Sequence, residues 1–310
     1  DASPGSRRCS SKFCHRRSPR NGSVMSIVAE LTPEAVERGY NNRAAVPDHQ
    51  RWLDEWVERS QAAVQALRPD VDVRYGDEAG ETLDVFRPPG QPRGTLAFIH
   101  GGWWRALDKA DYAFVAPAFV EAGYAVATIN YELCPGAPID RIVDQCRRAV
   151  RWLAREGPRR GLPAPLVIGG HSAGGHLTAM MYTLAWRADD FARAPFVGGI
   201  SLSGVHDLSP LVHFSHNVDF KLDAARARAL SPAAKTPTTD ARLLIAVGAD
   251  ETSEFVRQTD LLWDAWPHNR PAGAHGPLHV VCRHHYSVVL DYVDATSALT
   301  RATLALFGDR

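Results

Sequence analysis

A surplus of charge of either sign is missing from this 310-residue sequence. Lys and Arg together number 35, Asp and Glu together number 35, and the formal net charge is +0. A chain with no basic surplus has no general attraction for a polyanion, so no nucleic-acid partner is expected. Cysteine is scarce. Cys9, Cys14, Cys134, Cys146 and Cys282 are odd in number and scattered, and a chain of this length can bury a core without a disulfide scaffold. That usage suits a reducing compartment, and a cytoplasmic location is expected. No apolar run approaches the roughly 20 residues of a membrane-crossing helix, so no membrane partner is expected. Internal repeats are lacking, and so is the H-E-x-x-H pattern of zinc proteases. His213 and His216 stand three apart with no third ligand placed by the sequence. No metal and no cofactor are therefore expected.

Residues 1–24 differ from the rest. They are rich in Arg and Ser, contain Asp1 as their one acid, and lack the hydrophobic segment of a secretory signal. They read as a disordered tail or an upstream extension ahead of Met25, and Cys9, Cys14 and His15 within them lack the second half of a metal site.

What is present alternates. Trp52, Trp56, Val57, Val64 and Leu67 recur at helical spacing, which predicts a helix from Leu31 to Leu67. Val71–Tyr75 and Glu81–Phe86 alternate and predict an antiparallel hairpin at a sheet edge. Continuous apolar strands follow at Thr95–Ile99, Ala125–Ile129, Leu166–Ile168, Val197–Leu202, Leu243–Val247 and Leu278–Cys282. Helical stretches fall at Ala113–Ala122, Ile142–Leu153, His176–Trp186, Glu254–Trp266 and Val288–Phe307. Buried strands that alternate with amphipathic helices predict an α/β fold with a mostly parallel central sheet and helices on both faces. Nothing divides residues 25–310 into two domains. Residues 207–239, rich in Ser, His, Asp and Pro, break the rhythm and are expected as an insertion over the carboxyl ends of the strands, where such sheets bind ligands.

The chemistry concentrates in Gly170-His171-Ser172-Ala173-Gly174, a G-x-S-x-G that follows the Leu166–Ile168 strand and precedes a helix. This is the pattern of a nucleophile elbow, a turn tight enough to push a serine hydroxyl out above the sheet. A serine needs a base, and the base needs a third group to fix its tautomer, in the chain order Ser, acid, His. Asp250 and Glu251 both follow a late strand, and His284 and His285 both follow the last one. An oxyanion hole needs converging backbone N–H groups. Ala173, the residue after the serine, supplies one candidate. The glycine-rich loop His100-Gly101-Gly102-Trp103-Trp104 follows an early strand and supplies others from Gly101, Gly102 and Trp103. Trp103, Trp104 and Tyr131 read either as walls of a pocket for an aromatic group or as core packing.

Taken together, these residues resemble the α/β-hydrolase fold and in particular the arylformamidase (kynurenine formamidase) family. His100-Gly101-Gly102-Trp103-Trp104 matches that family's H-G-G-x-W loop, and Gly170 to Leu177 matches its elbow. Asn130 to Pro135 with Asp144-Gln145, Ser203 to Leu208 with Pro210-Leu211, and Val247-Gly248 with Glu254-Phe255 and Arg257-Gln258 are similar to further segments. The similarity spans nearly all of Met25 to Phe307, and closely similar bacterial esterases carry many of the same motifs. The resemblance implies Glu251 as the triad acid, where the family more often has Asp, with adjacent Asp250 as the alternative. It implies His285, which precedes an aromatic residue, as the base, and His284 stands where the family often has an acid. It also implies a pocket-lining role for His176, for which a buried structural histidine is the alternative. The implied activity is that of a serine hydrolase acting on an N-formyl arylamine such as N-formyl-L-kynurenine. A carboxylesterase for short acyl esters is the first alternative and a catalytically silent binding protein of the same fold the second. The expected partner is a small-molecule substrate, with a homodimer allowed.

Overall fold

A computed structural model describes residues 32–308. The tail at 1–24, with Cys9, Cys14 and His15, lies outside the described residues.

Eight strands form one sheet in the order β1-β2-β4-β3-β5-β6-β7-β8. They are Asp70–Arg74, Thr82–Phe86, Thr95–Ile99, Ala125–Ile129, Leu166–His171, Gly198–Leu202, Arg242–Gly248 and Leu278–Val280, numbered β1 to β8. β2 runs antiparallel to both β1 and β4, and every pairing from β4 through β8 is parallel. The hairpin therefore sits at one edge of an otherwise parallel sheet. Strands β2 to β6 are buried throughout. Their side chains alternate between faces, as the two-residue strand period requires. In β3, Ala97 and Ile99 join one apolar cluster while Leu96 and Phe98 join the other. This is the α/β-hydrolase architecture.

Several predicted helices are interrupted, each for a local reason. The expected helix to Leu67 is three: α1 (Pro33–Tyr40), α2 (Asn42–Ala45) and α3 (His49–Leu67). Asn41 ends the first and caps the second, accepting from Ala44 N at 3.0 Å. Val46 leaves the helical region, at φ −125° and ψ 88°, because a following proline disfavours helical dihedrals. Leu31 lies outside the described residues. The Ala113–Ala122 stretch is a 3₁₀ turn, Lys109–Val115, that runs into α4 (Ala116–Glu121). The helix α5 (Ile139–Arg155) follows β4. The helix α6 (Ala173–Met181) begins at the elbow and stops before Trp186. The 207–239 region contains α7 (Asn217–Phe220) and α8 (Ala224–Ala229) between 3₁₀ turns. After α9 (Ser253–Ala265), the last strand ends at Val280 because Cys282 turns to φ 58°. The closing helix is split into a 3₁₀ turn, Val288–Val293, and α10 (Ala298–Ala305), which Ser297 caps by accepting from Thr300 N. Among the described residues no helix is long and apolar enough to cross a membrane.

Candidate active site

Four loops at the carboxyl ends of β3, β5, β7 and β8 carry the residues of interest, because parallel strands deliver their ends to one edge. Ser172 follows β5 at φ 57°, ψ −118°, a region few side chains occupy. Such a residue costs of order 1–3 kcal/mol and persists only where its surroundings enforce it. The enforcement here is close packing: a Cβ on Gly174 would stand 2.0 Å from the Ile99 carbonyl oxygen. Only glycine lets α6 approach β3 this closely.

The structure brings Ser172, His285 and Glu251 into series. Ser172 Oγ and His285 Nε2 are 3.0 Å apart, and His285 Nδ1 is 2.7 Å from Glu251 Oε2. A carboxylate only accepts, so Nδ1 carries the proton and Nε2 is left to accept from the serine hydroxyl. The Glu251 side chain is fully buried, and its other oxygen accepts from Gly248 N at 2.8 Å and Ser203 Oγ at 2.5 Å. Three hydrogen bonds thus converge on one rigid acid, which holds the imidazole in place. Asp250 is exposed and takes no part in this series. His284 faces elsewhere: its Nδ1 accepts from Tyr286 N and Ser287 N, and its ring meets Trp52 edge-on at 4.8 Å.

The His285 ring lies between Phe255, at 4.5 Å, and His171, at 4.7 Å. Burial pushes the His171 pKa well below the usual histidine range, and the nearby His285 ring pushes the same way. A neutral ring here adds packing without adding a second positive charge. Sequence reasoning quoted His171 within the elbow but gave it no role. Ser203 and Phe255 fell within segments of the resemblance but likewise had no role, and nothing singled out Tyr112, whose hydroxyl hydrogen-bonds His171 Nδ1 at 3.0 Å. These contacts join segments far apart in the chain and leave no local pattern.

The glycine-rich loop is held from behind. The His100 ring bridges Gly101 O, at 2.8 Å, and Asn130 Oδ1, at 3.0 Å. Tyr131 stacks on that ring at 4.1 Å and donates its hydroxyl proton to His100 O. Asn130 in turn donates to Asp108. The loop then turns through positive φ at Gly102 (100°), Trp103 (54°) and Trp104 (55°). A Cβ at Gly102 would stand 2.0 Å from Ala106 O. Ala173 is the first residue of α6, so its N–H has no partner within the helix, and it stands at the positive end of the helix dipole.

A cavity of about 400 Å³ opens onto Ser172 and His285. Gly102, Trp103 and Leu107 line it from the loop, and Phe214 and His216 from the 207–239 region. Residues 41–44 and Trp56 complete it from the amino-terminal helices, a contribution that no sequence signal announced. Three substrate-contact expectations need correction. Trp104, Tyr131 and His176 do not line this cavity. They are 0%, 2% and 0% exposed and form the packed layer behind it. Trp104 meets His176 edge-on at 4.9 Å, and His176 Nε2 donates to Leu230 O at 2.8 Å. The loop curls at Trp103 and Trp104, so consecutive tryptophans face opposite ways, one to the cavity and one to the core.

Fold and site together define a serine hydrolase of the α/β-hydrolase class. The comparisons with known proteins agree. The BD-FAE family model matches residues 83–248, more than half of the chain, and the chain belongs to that family. Kynurenine formamidase of Danio rerio is 29% identical over 270 residues, which cover 84% of this chain and 88% of that protein. Kynurenine formamidase of Salmo salar is 28% identical over 302 residues, with 92% and 99% covered. Among solved structures, one from Silicibacter sp., provisionally assigned as a thioesterase, has a TM-score of 0.76 at 29% identity and covers 87% of this chain and 98% of that one. Esterase B of Lactobacillus rhamnosis, at 19% identity and TM-score 0.64 with 86% and 96% covered, shares the fold.

Proposed function

We propose that the chain hydrolyses an N-formyl arylamine such as N-formyl-L-kynurenine to formate and the free amine. The observation that carries this reading is the near full-length likeness to two kynurenine formamidases, in a chain whose serine, histidine and glutamate stand in hydrogen-bonded series.

In this mechanism Ser172 Oγ attacks the formyl carbon as His285 Nε2 takes its proton. The carbonyl oxygen becomes negative, and the amides of Ala173 and Gly102, with Trp103 or Gly101, hold it. Each such donor contributes on the order of 3 kcal/mol to lowering the barrier. Glu251 stabilises the imidazolium that forms. His285 then gives the proton to the departing nitrogen, and the C–N bond breaks to leave a formyl-serine. An aryl amine leaves more readily than an alkyl amine, so ester-type machinery suffices. Water repeats the sequence on the formyl-serine and releases formate.

Short-chain esters are the second reading. It is favoured by the 29% identity of esterase LipC of Mycobacterium tuberculosis over 35% of this chain. Comparing kcat/KM for N-formyl-L-kynurenine and p-nitrophenyl acetate separates the two. A formamide value well below the ester value would remove the first reading. A fluorophosphonate probe should label wild type and leave Ser172→Ala unlabelled; an unlabelled wild type would point to a silent binding protein.

A further inference from the structure

We propose that Ser203 is a positioning residue for the triad: its hydroxyl locks the Glu251 carboxylate against His285, and a strained backbone at this serine is retained to keep the hydroxyl there. The proposal goes beyond the formamidase reading, since it applies to any acyl group that Ser172 takes up.

Strain marks the residue. Ser203 directly follows β6 and has φ 52°. The left-handed region suits glycine and disfavours any residue with a Cβ. Such conformations gather where function requires them. Ser172 is its counterpart one strand away. His171 and Leu202, the last residues of β5 and β6, pair in register, and the serine after each turns to positive φ. Both backbones still continue the sheet, Ser172 N donating to Leu202 O at 2.8 Å and Ser203 N to Ala246 O at 2.7 Å. The helix α6 presses on the exit from β6: a Cβ on Gly175 would stand 3.0 Å from Gly204 Cα and 3.0 Å from Leu202 O. Two neighbouring strands thus end in the same device. One hydroxyl is the nucleophile, and the other reaches the acid.

What the second hydroxyl touches gives its role. Ser203 Oγ is 2.5 Å from Glu251 Oε1, which also accepts from Gly248 N at 2.8 Å, while Oε2 faces His285 Nδ1 at 2.7 Å. Ser203 and the Glu251 side chain are both 0% exposed, so bulk water cannot replace the hydroxyl. The last torsion of a glutamate is broad. The Gly248 N–H alone leaves the carboxylate plane free to swing about that bond. A second donor on the same oxygen, from the adjoining strand, fixes the plane and keeps Oε2 on the imidazole. Glycine at 203 would make the same turn with less strain but would offer no proton.

The test compares Ser203→Ala and Ser203→Gly with wild type, by the rate of fluorophosphonate labelling of Ser172 and by turnover of p-nitrophenyl acetate. Both variants should lose about tenfold or more in labelling rate and in kcat, with KM within about twofold, as expected for a lost hydrogen bond to a buried carboxylate. Thermal unfolding should separate them. Ser203→Gly should melt about 2–4 °C above Ser203→Ala, because glycine carries no penalty at positive φ. Activity that follows Tm, with glycine recovering what alanine loses, would mean a merely structural serine and would overturn the proposal. Near-normal labelling in both variants would do the same. A double variant shows whether the effect passes through the acid. Added to Glu251→Gln, Ser203→Ala should lower kcat by less than about twofold more, since residues that act as a unit are not additive; losses that multiply overturn the proposal. Neither readout uses a formamide, so the result stands apart from the formamidase reading.

Discussion

Acid should unfold this protein through histidines that have no room for a second proton. His176 and His206 are fully buried, and each has an Nδ1 without a partner among the described residues. Burial holds His100 and His176 down at about 4 and His206 at about 3, with the neighbouring His176 adding to the effect on His206. An unfolded chain protonates its histidines near 6.5. The folded values are depressed, so the unfolded state binds protons first as pH falls. The stabilisation is complete above about pH 6.5 and is lost progressively toward the folded values. Between pH 7 and pH 5 each of these histidines should cost about 2 kcal/mol, and the three together about 5–6 kcal/mol. That is a large part of the 5–15 kcal/mol typical of a folded domain. Urea unfolding followed by tryptophan fluorescence at the two pH values measures it. His206→Gln isolates one contribution: its ring now hydrogen-bonds Ser201 Oγ at 3.3 Å, which an amide can also reach. The difference in unfolding free energy between pH 7 and pH 5 should shrink by about 2 kcal/mol in this variant. A variant with the same pH dependence as wild type would refute the reasoning, whatever its absolute stability.

Three further outcomes follow from the site. Glu251→Gln should lower kcat by about 10⁴-fold, because an amide can hold the wrong imidazole tautomer. Asp250→Asn, on the surface, should stay within about twofold, and comparable losses in an ester assay would show that the acid has been misassigned. Gly102→Ala should lower kcat by about 10²–10³-fold while circular dichroism is preserved, since a Cβ there displaces the loop that offers oxyanion donors; near-normal turnover would take Gly102 out of the hole. Tyr131→Phe should cost about 1 kcal/mol in stability through its lost hydrogen bond and leave KM nearly unmoved. A large rise in KM would mean that this ring touches substrate after all.

Features with a local physical cause were legible in the sequence. Strand periodicity needs only neighbours along the chain, and so does the glycine spacing that lets a helix press on a strand at Ser172. The parallel sheet, the edge hairpin and the elbow all follow from such short-range rules. Helix continuity was overestimated where one residue decides it, as at Asn41, Val46 before Pro47, and Ser297. Choices between adjacent candidates depended on the direction of a side chain after a turn. Glu251 points inward and Asp250 outward, His285 toward the serine and His284 toward Trp52, and Trp103 into the cavity while Trp104 enters the core. Only tertiary packing settles such directions. It also brings residues 41–44 to the cavity of a serine some 130 positions away. Local chemistry therefore determined which segments could bear a nucleophile, a base and an acid. The meeting of remote loops at the strand ends decided which members of each pair face one another, because contact between distant residues is a property of the folded chain as a whole.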